Sequence, residues 1–338
     1  MLKYILKRSV YIVIVALLLS FFLYCIYNAM DIDYAAIRLE GQALELQKEG
    51  RYEEVYQALR KQMALDEPLV KRYLYWMGIL PLNGSYNGLL QGNFGYSYNY
   101  STQVIRLIGE PLKNTVLLNS LATCLALAIT LPLGIFCAVR RGSRSDTAVQ
   151  IGSIVGYSMP TFIIAIVFIW LFAVVLGWFP VSGMSTPNSG YTGLRLFLDK
   201  LYYMALPLIV MTFCSLGGMT RYVRSTMIEA LSMDCIRTAR AKGLGERAVV
   251  YSHAWRNALI PIITLVIGWF LGIFSGSLIV ESIFGLNGLG RFYITALNTK
   301  DYEVAMALQM FYVILALVGN LLIDLAYGLA DPRVRVNK

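Results

Sequence analysis

The sequence predicts an all-α membrane protein that crosses the bilayer six times, and three observations lead to that fold class. Hydrophobic residues make up 57% of the 338-residue chain and charged residues only 14%, against about 25% charged residues in soluble domains. The mean hydropathy is +0.60. Apolar runs approach or exceed the roughly 20 residues that a helix needs to cross a bilayer, and Lys and Arg are concentrated in alternate loops.

The first apolar run, residues 10–27, follows a short basic start that contains Lys3, Lys7 and Arg8. A cleaved signal peptide shares this pattern, but no small-x-small cleavage site follows the run. Tyr24, directly before Cys25, is also too large for a good lipoprotein signal. The pattern therefore favours a retained first span, so that residues 1–30 form an N-terminal cytoplasmic tip and the first transmembrane helix.

Residues 31–112 are mostly polar and are predicted to form a helical extracytoplasmic insert after the first span. Helix-like apolar spacing occurs in residues 35–48, 51–64 and 67–77. Residues 83–101 are rich in Gly, Asn and Tyr, a composition typical of a loop. The charges of the insert are most simply explained as a solvated face.

Five further spans are predicted in a core of residues 113–330, at residues 114–139, 148–176, 201–219, 258–280 and 304–327. The stretch 201–219 has the weakest pattern, because Pro207 and the pair Gly217-Gly218 interrupt it. Neighbouring helices can satisfy the backbone at such positions, so it is still expected to span. Residues 331–338 are left as a short tail.

The net charge of +9 follows from the orientation of these spans. With the N-terminus inside, the inner segments hold sixteen Lys and Arg residues and the two short outer loops hold four. The positive-inside rule therefore predicts that both termini are cytoplasmic, and no nucleic-acid partner is needed to explain the charge. The five cysteines lack metal-ligand spacing and His253 is the only histidine, so no metal site is predicted.

A basic, helix-rich loop of residues 221–258 joins the fourth and fifth spans. Thr226 and Glu229 have the spacing of a capping box, and Asp234 offers a second N-cap. A short helix over residues 235–242 is expected to follow, with Gly243 as its left-handed stop. The next helix then opens at Gly245-Glu246 and leads into the fifth span, so that the short helix lies across two longer ones.

The short helix has the chemistry of a docking surface. Ala239 and Ala241 permit close approach, while Arg237, Arg240 and Lys242 would pair with carboxylates of a partner protein or with anionic lipid. An ordinary basic loop, required only for orientation, is the alternative interpretation.

The order of residues in this loop resembles the cytoplasmic loop motif of ABC importer permeases, in the version of the dipeptide, oligopeptide and nickel subfamily. The matching positions are Glu229, Leu231, Asp234, residues 236–244, Glu246-Arg247, His253-Ala254, residues 256–259 and Pro261. Further similarity runs through residues 66–76, 92–95, 114–115, 132–143, 158–183, 280–302 and 320–333, and is closest to the B-type permease. The sequence departs from the family at Lys113, Cys235 and Asn287, and residues 35–64 show no recognised counterpart.

The resemblance implies a type I ABC importer permease fold in the bacterial inner membrane. It also implies four kinds of partner: a second, similar permease, two ATPase subunits, an extracytoplasmic substrate-binding protein and membrane lipid. The chain has no Gly-x-x-x-x-Gly-Lys-Ser/Thr loop, so it is not expected to be an enzyme or to hold a cofactor, and ATP and Mg²⁺ would be bound by the partners. The residues expected to couple the chain to the ATPases are Glu229, Asp234, Arg237, Thr238, Ala239, Arg240, Ala241, Lys242, Gly243, Arg256 and Asn257.

Residues that would form the translocation path or its hinges are less distinctive. The candidates are Asn114, Pro160, Pro261, Glu281, Asn320 and Asp324. Pro261 is either a hinge or a kink tolerated by packing. Asp324 is a pathway residue by its depth in the sixth span, or lies near the interface and pairs with a basic residue such as Arg333. The asparagines either line a polar path or hold helices together.

Three function classes remain open from the residues alone. The favoured one is the permease of a peptide importer, with nickel-complex or glutathione import as alternatives of the same class. A stand-alone secondary transporter would favour several intramembrane ionisable residues and paired broken helices. A membrane-embedded enzyme would need a nucleophile and a base within the spans, and no such set is found.

Overall fold

A computed structural model describes residues 2–30, 33–97 and 99–330. Within these ranges the chain is mostly helical, with a single two-stranded sheet, and it divides into two compact units. Of the described residues, one unit contains those up to Gly109 together with Tyr293–Leu317, and the other contains Glu110–Phe292 together with those from Val318 to 330. The predicted tail, residues 331–338, lies outside the described residues.

The helices and strands follow one another along the chain with short connections. In the first part they are α1 (Leu2–Ala29), α2 (Tyr34–Leu39), α3 (Ala43–Lys48), α4 (Tyr52–Gln62), α5 (Leu69–Met77), a 3₁₀ turn (Leu89–Gln91), β1 (Tyr96–Ser97) and β2 (Thr102–Gln103). Next come α6 (Val104–Val139), α7 (Arg144–Ser158), α8 (Thr161–Phe168) with a π-helical continuation (Ile169–Val175), α9 (Gly193–Ser232) and α10 (Asp234–Ala241). The chain continues with α11 (Glu246–Ala248), a π-helical segment (Val249–Ala254), α12 (Trp255–Gly272), α13 (Leu278–Ile283), α14 (Leu289–Asn298) and α15 (Tyr302–Ala330).

Four of the described helices are long and apolar enough to cross a membrane. They are α1 from Leu6 onward, α6, α9 and α15 as far as Ile323. The pair formed by α7 and the helix from Thr161 to Val175 passes the same test, but its two parts are bent by 105°. The predicted span 258–280 corresponds to α12, which ends at Gly272, and part of α13. Four or five candidate spans are therefore found, and the expected number of six stays a prediction.

The short helices of the first unit follow the sequence prediction closely. The side chain of Asp33 caps α2 by accepting hydrogen bonds from the backbone N–H groups of Ala35 and Ala36, at 3.1 and 3.0 Å. The stretch predicted as one helix over residues 35–48 is divided into α2 and α3, while α4 and α5 match the other two predicted helices. Ala35, Leu39 and Leu59 form the small core that holds α2 against α4.

Aromatic side chains attach α5 to α1. The hydroxyls of Ser20 and Tyr73 lie 2.7 Å apart, and the Tyr24 ring packs on those of Tyr73 and Trp76 at centroid distances of 5.6 and 5.4 Å. The β1–β2 hairpin is held in the same unit by the segment before α15. There the Ser97 hydroxyl donates to the Asp301 carboxylate.

Helix α9 organises the second unit, because it contributes to two separate apolar cores. Its first half packs Met204, Leu206 and Val210 into one core, and its second half packs Val223 and Met227 into another. The helix continues without a break to Ser232. The capping box predicted at residues 226–229 is therefore wrong, because no helix begins there.

The glycines that weakened the predicted fourth span have a packing role. A Cβ atom on Gly217 would lie 2.2 Å from the carbonyl oxygen of Ser153, so a side chain at this position is incompatible with the observed approach of α7 to α9. Pro207, the other predicted interruption, is buried inside the uninterrupted helix.

Candidate functional site

The short helix α10 begins directly after α9. Met233 is extended, with φ −66° and ψ 149°, and α10 starts at Asp234. The Asp234 side chain is 94% exposed and makes no capping hydrogen bond; its carboxylate lies 3.4 Å from Nη1 of Arg237. The predicted N-cap role of Asp234 is therefore wrong. The residue sits one position later, in the first turn, where the helix dipole still favours a negative charge.

One face of α10 is buried. Ile236 is fully buried and Ala239 is 5% exposed, and both belong to the core that contains Met227, Val249 and Ala254. Residues three apart lie on the same side of a helix, so this spacing fixes which side of α10 packs against α9 and the π-helical segment. Ala239, expected to serve close approach to a partner, instead anchors the helix to its own chain.

Gly243 ends α10 in the left-handed conformation, as predicted. Its φ is +80°, its N–H donates to the Arg240 carbonyl at 2.9 Å, and the N–H of Leu244 donates to the Ala239 carbonyl at 3.3 Å. These two bonds form the Schellman arrangement. The chain therefore reverses within two residues, and Glu246 comes back beside α10.

The returning chain is tied to α10 by an exposed ion pair. The Arg240 guanidinium donates to Glu246 through Nε at 2.7 Å and Nη2 at 3.2 Å, and this contact holds the pKa of the Glu246 carboxyl below its usual range. The two side chains are 46% and 66% exposed, so solvent screens the pair and it adds little to stability. Its main effect is to neutralise Arg240.

Apart from Arg240 and Cys235, the exposed side chains of α10 and of its C-cap residue form a weakly basic surface. We define this docking face as Asp234, Arg237, Thr238, Ala241 and Lys242, all of which are exposed. The formal charges of two cations and one anion leave it with a net charge of +1. The polar contacts of this face stay within the helix: Arg237 lies 3.4 Å from the Asp234 carboxylate, and the Thr238 hydroxyl donates to the Asp234 carbonyl at 3.0 Å. Helix α10 therefore packs its inner face and presents a polar outer face.

Three other predicted coupling residues lie outside this face, on the neighbouring helices α9 and α12. Asn257 lies beside the start of α10, because its amide group donates to the His253 carbonyl at 3.0 Å and approaches the Cys235 sulfur at 3.8 Å. Arg256 is exposed on the first turn of α12, and Glu229 is exposed on the last turns of α9.

Glu281, predicted as a pathway candidate, accepts hydrogen bonds from three groups of its own chain. It is fully buried and accepts hydrogen bonds from the Thr115 hydroxyl at 2.8 Å and from the backbone N–H groups of Gly290 and Arg291 at 2.7 and 3.1 Å. Thr115 in turn accepts from the N–H of Leu289 at 2.8 Å. The Glu281 carboxylate thus binds the N-terminal end of α14, where backbone N–H donors are otherwise unpaired.

The asparagines of α6 also hold structure together. The Asn114 amide donates to the Asn287 carbonyl at 2.8 Å. Asn119 donates to the carbonyls of Ile273 and Ser275, each at 2.8 Å, beyond the end of α12. The sequence left open whether the asparagines line a polar path or hold helices together. These contacts fit the second role.

The two predicted hinge prolines differ in their surroundings. Pro160 lies at the 105° bend and directly precedes α8. Pro261 lies inside the continuous helix α12, where its carbonyl accepts from the Thr264 hydroxyl at 2.7 Å and from the Tyr222 hydroxyl at 3.3 Å.

The last two pathway candidates lie on α15, and of these Asn320 is exposed. Asp324 lies on the same helix, beyond the side chains that the structure describes.

Sequence reasoning missed the best-paired charged side chains of the second unit. Arg224 donates to Asp146 through Nε at 2.7 Å and Nη2 at 2.8 Å, and Asp146 is 1% exposed. The same carboxylate accepts from the Gly142 N–H at 2.9 Å and the Gln150 amide at 3.0 Å. The spacing of Ser143, which caps α7, and Asp146 resembles a capping box. That spacing indicates a role for Asp146 at the start of α7, but nothing in it indicates the contact with Arg224, which is 78 positions away.

Two family profiles match this chain. Residues 1–119 match the N-terminal membrane component of binding-protein-dependent transport systems, and residues 130–336 match the binding-protein-dependent transport system inner membrane component. The chain belongs to this family.

Members of the family with assigned names align over most of the chain. Oligopeptide transport system permease protein AppB of Bacillus subtilis is 34% identical over 99% of both chains. A putative peptide permease protein of Brucella ovis is 37% identical over 82% of this chain and 84% of its own. Oligopeptide transport system permease protein OppB of Haemophilus influenzae is 32% identical over 83% and 86%.

The family match also extends over residues 35–64, for which the sequence alone showed no counterpart.

Among solved structures, one described as inward-facing conformations of the MetNI methionine ABC transporter aligns with 65% of this chain and 96% of its own. Its sequence identity is 16% and its TM-score 0.49.

Proposed function

We propose that this chain is a transmembrane permease subunit of an ATP-driven ABC importer for di- and oligopeptides. The observation that carries the proposal is its end-to-end similarity to oligopeptide permease AppB, at 34% identity over 99% of each chain. With a second permease the chain forms the translocation path. An extracytoplasmic binding protein delivers the peptide, and two partner ATPases bind ATP and Mg²⁺.

In the proposed orientation both termini and residues 221–258 lie in the cytoplasm, and the insert of residues 31–112 lies outside. The positive-inside rule supports this arrangement, because it places the basic loops on the inner side. The docking face on α10 then meets the ATPases at the membrane surface.

The geometry of α10 supports a coupling role. Ile236 and Ala239 fix the helix to α9 and to the start of α12, so a displacement of α10 is transmitted to both helices. A partner drives such a change only through contacts that differ in free energy between two conformations. The docking face is where those contacts form, and Gly243 keeps it in place.

The coupling role is tested by extracting the complex in mild detergent and identifying the subunits that accompany the chain. Arg237→Glu reverses a charge that is 77% exposed, so the fold is expected to survive while the ATPases are lost and the second permease is kept. Arg141→Glu is the matched control, since Arg141 is also exposed and lies on the proposed cytoplasmic side, outside the docking face. Equal retention of the ATPases by both variants would contradict the coupling role.

The substrate class is tested with the whole complex in vesicles supplied with the binding protein and ATP. Uptake of a labelled dipeptide should be inhibited by unlabelled peptides and not by a nickel chelate or by glutathione. Inhibition by nickel chelate alone would place the chain with nickel import. A wild-type chain that is extracted without any ATPase would contradict the importer itself.

A further inference from the structure

A groove at the end of α6 takes no part in the coupling role. The last turns of α6 form one wall, and α11 with the π-helical segment forms the other; all of these belong to the second unit. The volume of the groove is about 220 Å³, below the range of about 300–1,000 Å³ in which a small molecule is enclosed. The groove is therefore expected to hold one end of a larger molecule rather than a whole ligand.

Two cations line this groove. Arg140 follows directly after α6, and its guanidinium lies over the Phe136 ring, 4.8 Å from the centroid; Arg247 belongs to α11. Both residues are exposed, and within the part of the chain that the structure describes neither makes an ion pair. Glu246 is the acidic residue of the wall, and its charge is paired with Arg240, which lies outside the groove. The two cations are therefore left for an anion.

An apolar stripe on α6 leads into the groove. Leu125, Ile129, Phe136 and Val139 are all exposed, and their spacing of three, four or seven residues places them on one side of the helix. From Leu125 to Val139 the helix rises about 21 Å, and a bilayer with its headgroup regions is about 40–45 Å thick. The stripe is therefore as long as one leaflet, and it ends at the two cations.

The side chains between the stripe and the cations suit the edge of a membrane. Ile135 and Val250 are buried and form an apolar floor. Tyr251 also lines the groove and is 56% exposed, and a tyrosine at this depth keeps its ring in apolar surroundings and its hydroxyl in water. The guanidinium groups beyond it have the geometry that phosphate binding requires. The polarity thus changes along the groove as it does from an acyl chain to a phosphate.

We propose that this groove binds an anionic phospholipid of the leaflet in which α6 ends. The lipid phosphate pairs with Arg140 and Arg247, and an acyl chain lies along the stripe of α6. Basic pockets at the ends of transmembrane helices recognise anionic headgroups in this way. The inference goes beyond the proposed function, because it requires only that α6 crosses the membrane. It adds a lipid site beside Glu246, the residue that ties the returning chain to α10.

The proposal is tested on the detergent-purified complex of the full-length chain by native mass spectrometry, which counts the lipids bound. The probe is dioleoyl-phosphatidylglycerol, and the comparison is dioleoyl-phosphatidylcholine, which has the same chains and no net charge. Phosphatidylglycerol should bind roughly tenfold more tightly, because the choline ammonium group opposes the two guanidinium groups. Glycerol phosphate, which has no acyl chain, should not displace the lipid at equal concentration.

Four variants locate the bound lipid. Arg140→Gln and Arg247→Gln should each weaken phosphatidylglycerol binding roughly tenfold, the effect of losing a hydrogen bond between charged groups, and Arg140→Lys should retain part of the affinity. Arg141→Gln is the matched control, because Arg141 is the neighbouring exposed cation and does not line the groove. Equal thermal unfolding midpoints for the variants establish that the fold is intact.

Equal affinity for the two lipids, equal effects of Arg140→Gln and Arg141→Gln, or displacement by glycerol phosphate at equal concentration would each overturn the proposal. The same spectra report whether the ATPase subunits stay bound. Loss of the ATPases from Arg247→Gln with unchanged lipid affinity would mean that a partner protein, and not a lipid, occupies the groove. Peptide uptake by a wild-type complex that does not select phosphatidylglycerol refutes the lipid site and leaves the proposed function standing.

Discussion

The pair Asp146–Arg224 should be energetically coupled far more strongly than an exposed pair of similar geometry. Its N–O distances are 2.7 and 2.8 Å, and the side chains are 1% and 18% exposed. Removing one partner of a buried ion pair costs about 3–5 kcal/mol, because the other charge is left without compensation. Arg224 keeps some contact with solvent, which hydrates its charge in part. We therefore expect Asp146→Asn to lower the free energy of unfolding by about 3 kcal/mol, the lower end of that range.

A double-mutant cycle measures the coupling directly. Asp146→Asn, Arg224→Gln and the double variant are unfolded in mixed micelles of mild detergent and SDS, and the interaction energy is taken from the four free energies. Arg240–Glu246 is the matched control. It has N–O distances of 2.7 and 3.2 Å but lies at the surface, where solvent screening leaves little coupling between the two charges.

Burial is the variable that the two cycles isolate, since both pairs are bidentate Arg–carboxylate contacts. The coupling energy of Asp146–Arg224 should exceed that of Arg240–Glu246 by at least about 1 kcal/mol. Equal coupling energies in the two cycles would refute the reasoning.

Three further variants test other parts of the structure, each by unfolding in the same micelles. Gly243→Ala should cost about 1–2 kcal/mol from its left-handed backbone alone, because a Cβ meets no atom within 4 Å; Gly243→Asn should cost less. Glu281→Ala should cost about 1–3 kcal/mol, because it leaves neutral buried donors at the start of α14 unpaired. Burial raises the pKa of Asp301 above its ordinary 3.8, so its contribution is fully present below pH 3.8 and is lost as the pH rises through the raised pKa. Asp301→Asn should lack this decline.

Each of these expectations has a result that would contradict it. Equal stability of the Ala and Asn variants at position 243 would mean that backbone conformation does not decide the cost there. A change below about 1 kcal/mol for Glu281→Ala would mean that water replaces the carboxylate, because an unsatisfied buried donor alone costs about 1–3 kcal/mol. A wild type and an Asp301→Asn variant with parallel pH profiles would show that Asp301 is not desolvated.

Local patterns in the sequence were enough to place the helices of the first unit and the docking helix. Apolar periodicity located α4 and α5, and the glycine at position 243 located the end of α10, because a left-handed stop depends only on neighbouring residues. Arg237, Lys242 and Thr238 were also correctly expected at the surface, since a short helix with one apolar face leaves its other face exposed.

Features set by distant parts of the chain were not predictable in the same way. Thr226 and Glu229 have a capping-box pattern, yet packing of the apolar face of α9 continues the helix through them. Glu281 was a pathway candidate because it lies near the end of a predicted span, at the external mouth. Its observed partners, Thr115 and the start of α14, could not be read from the sequence, because no local pattern connects them with Glu281. The contact of Arg224 with Asp146 spans 78 positions, and no local signal connects them.

The close approach of Gly217 to Ser153 has a consequence for how motion passes through the second unit. Together with the Asp146–Arg224 pair, it fastens α7 to α9 at two separate places, so the two helices are prevented from sliding past each other and turn as a single rigid body. A displacement of α10 that moves α9 therefore moves α7 by the same rotation. This shared movement is expected to extend as far as the 105° bend at Met159 and Pro160, where α7 ends and α8 begins in a different direction.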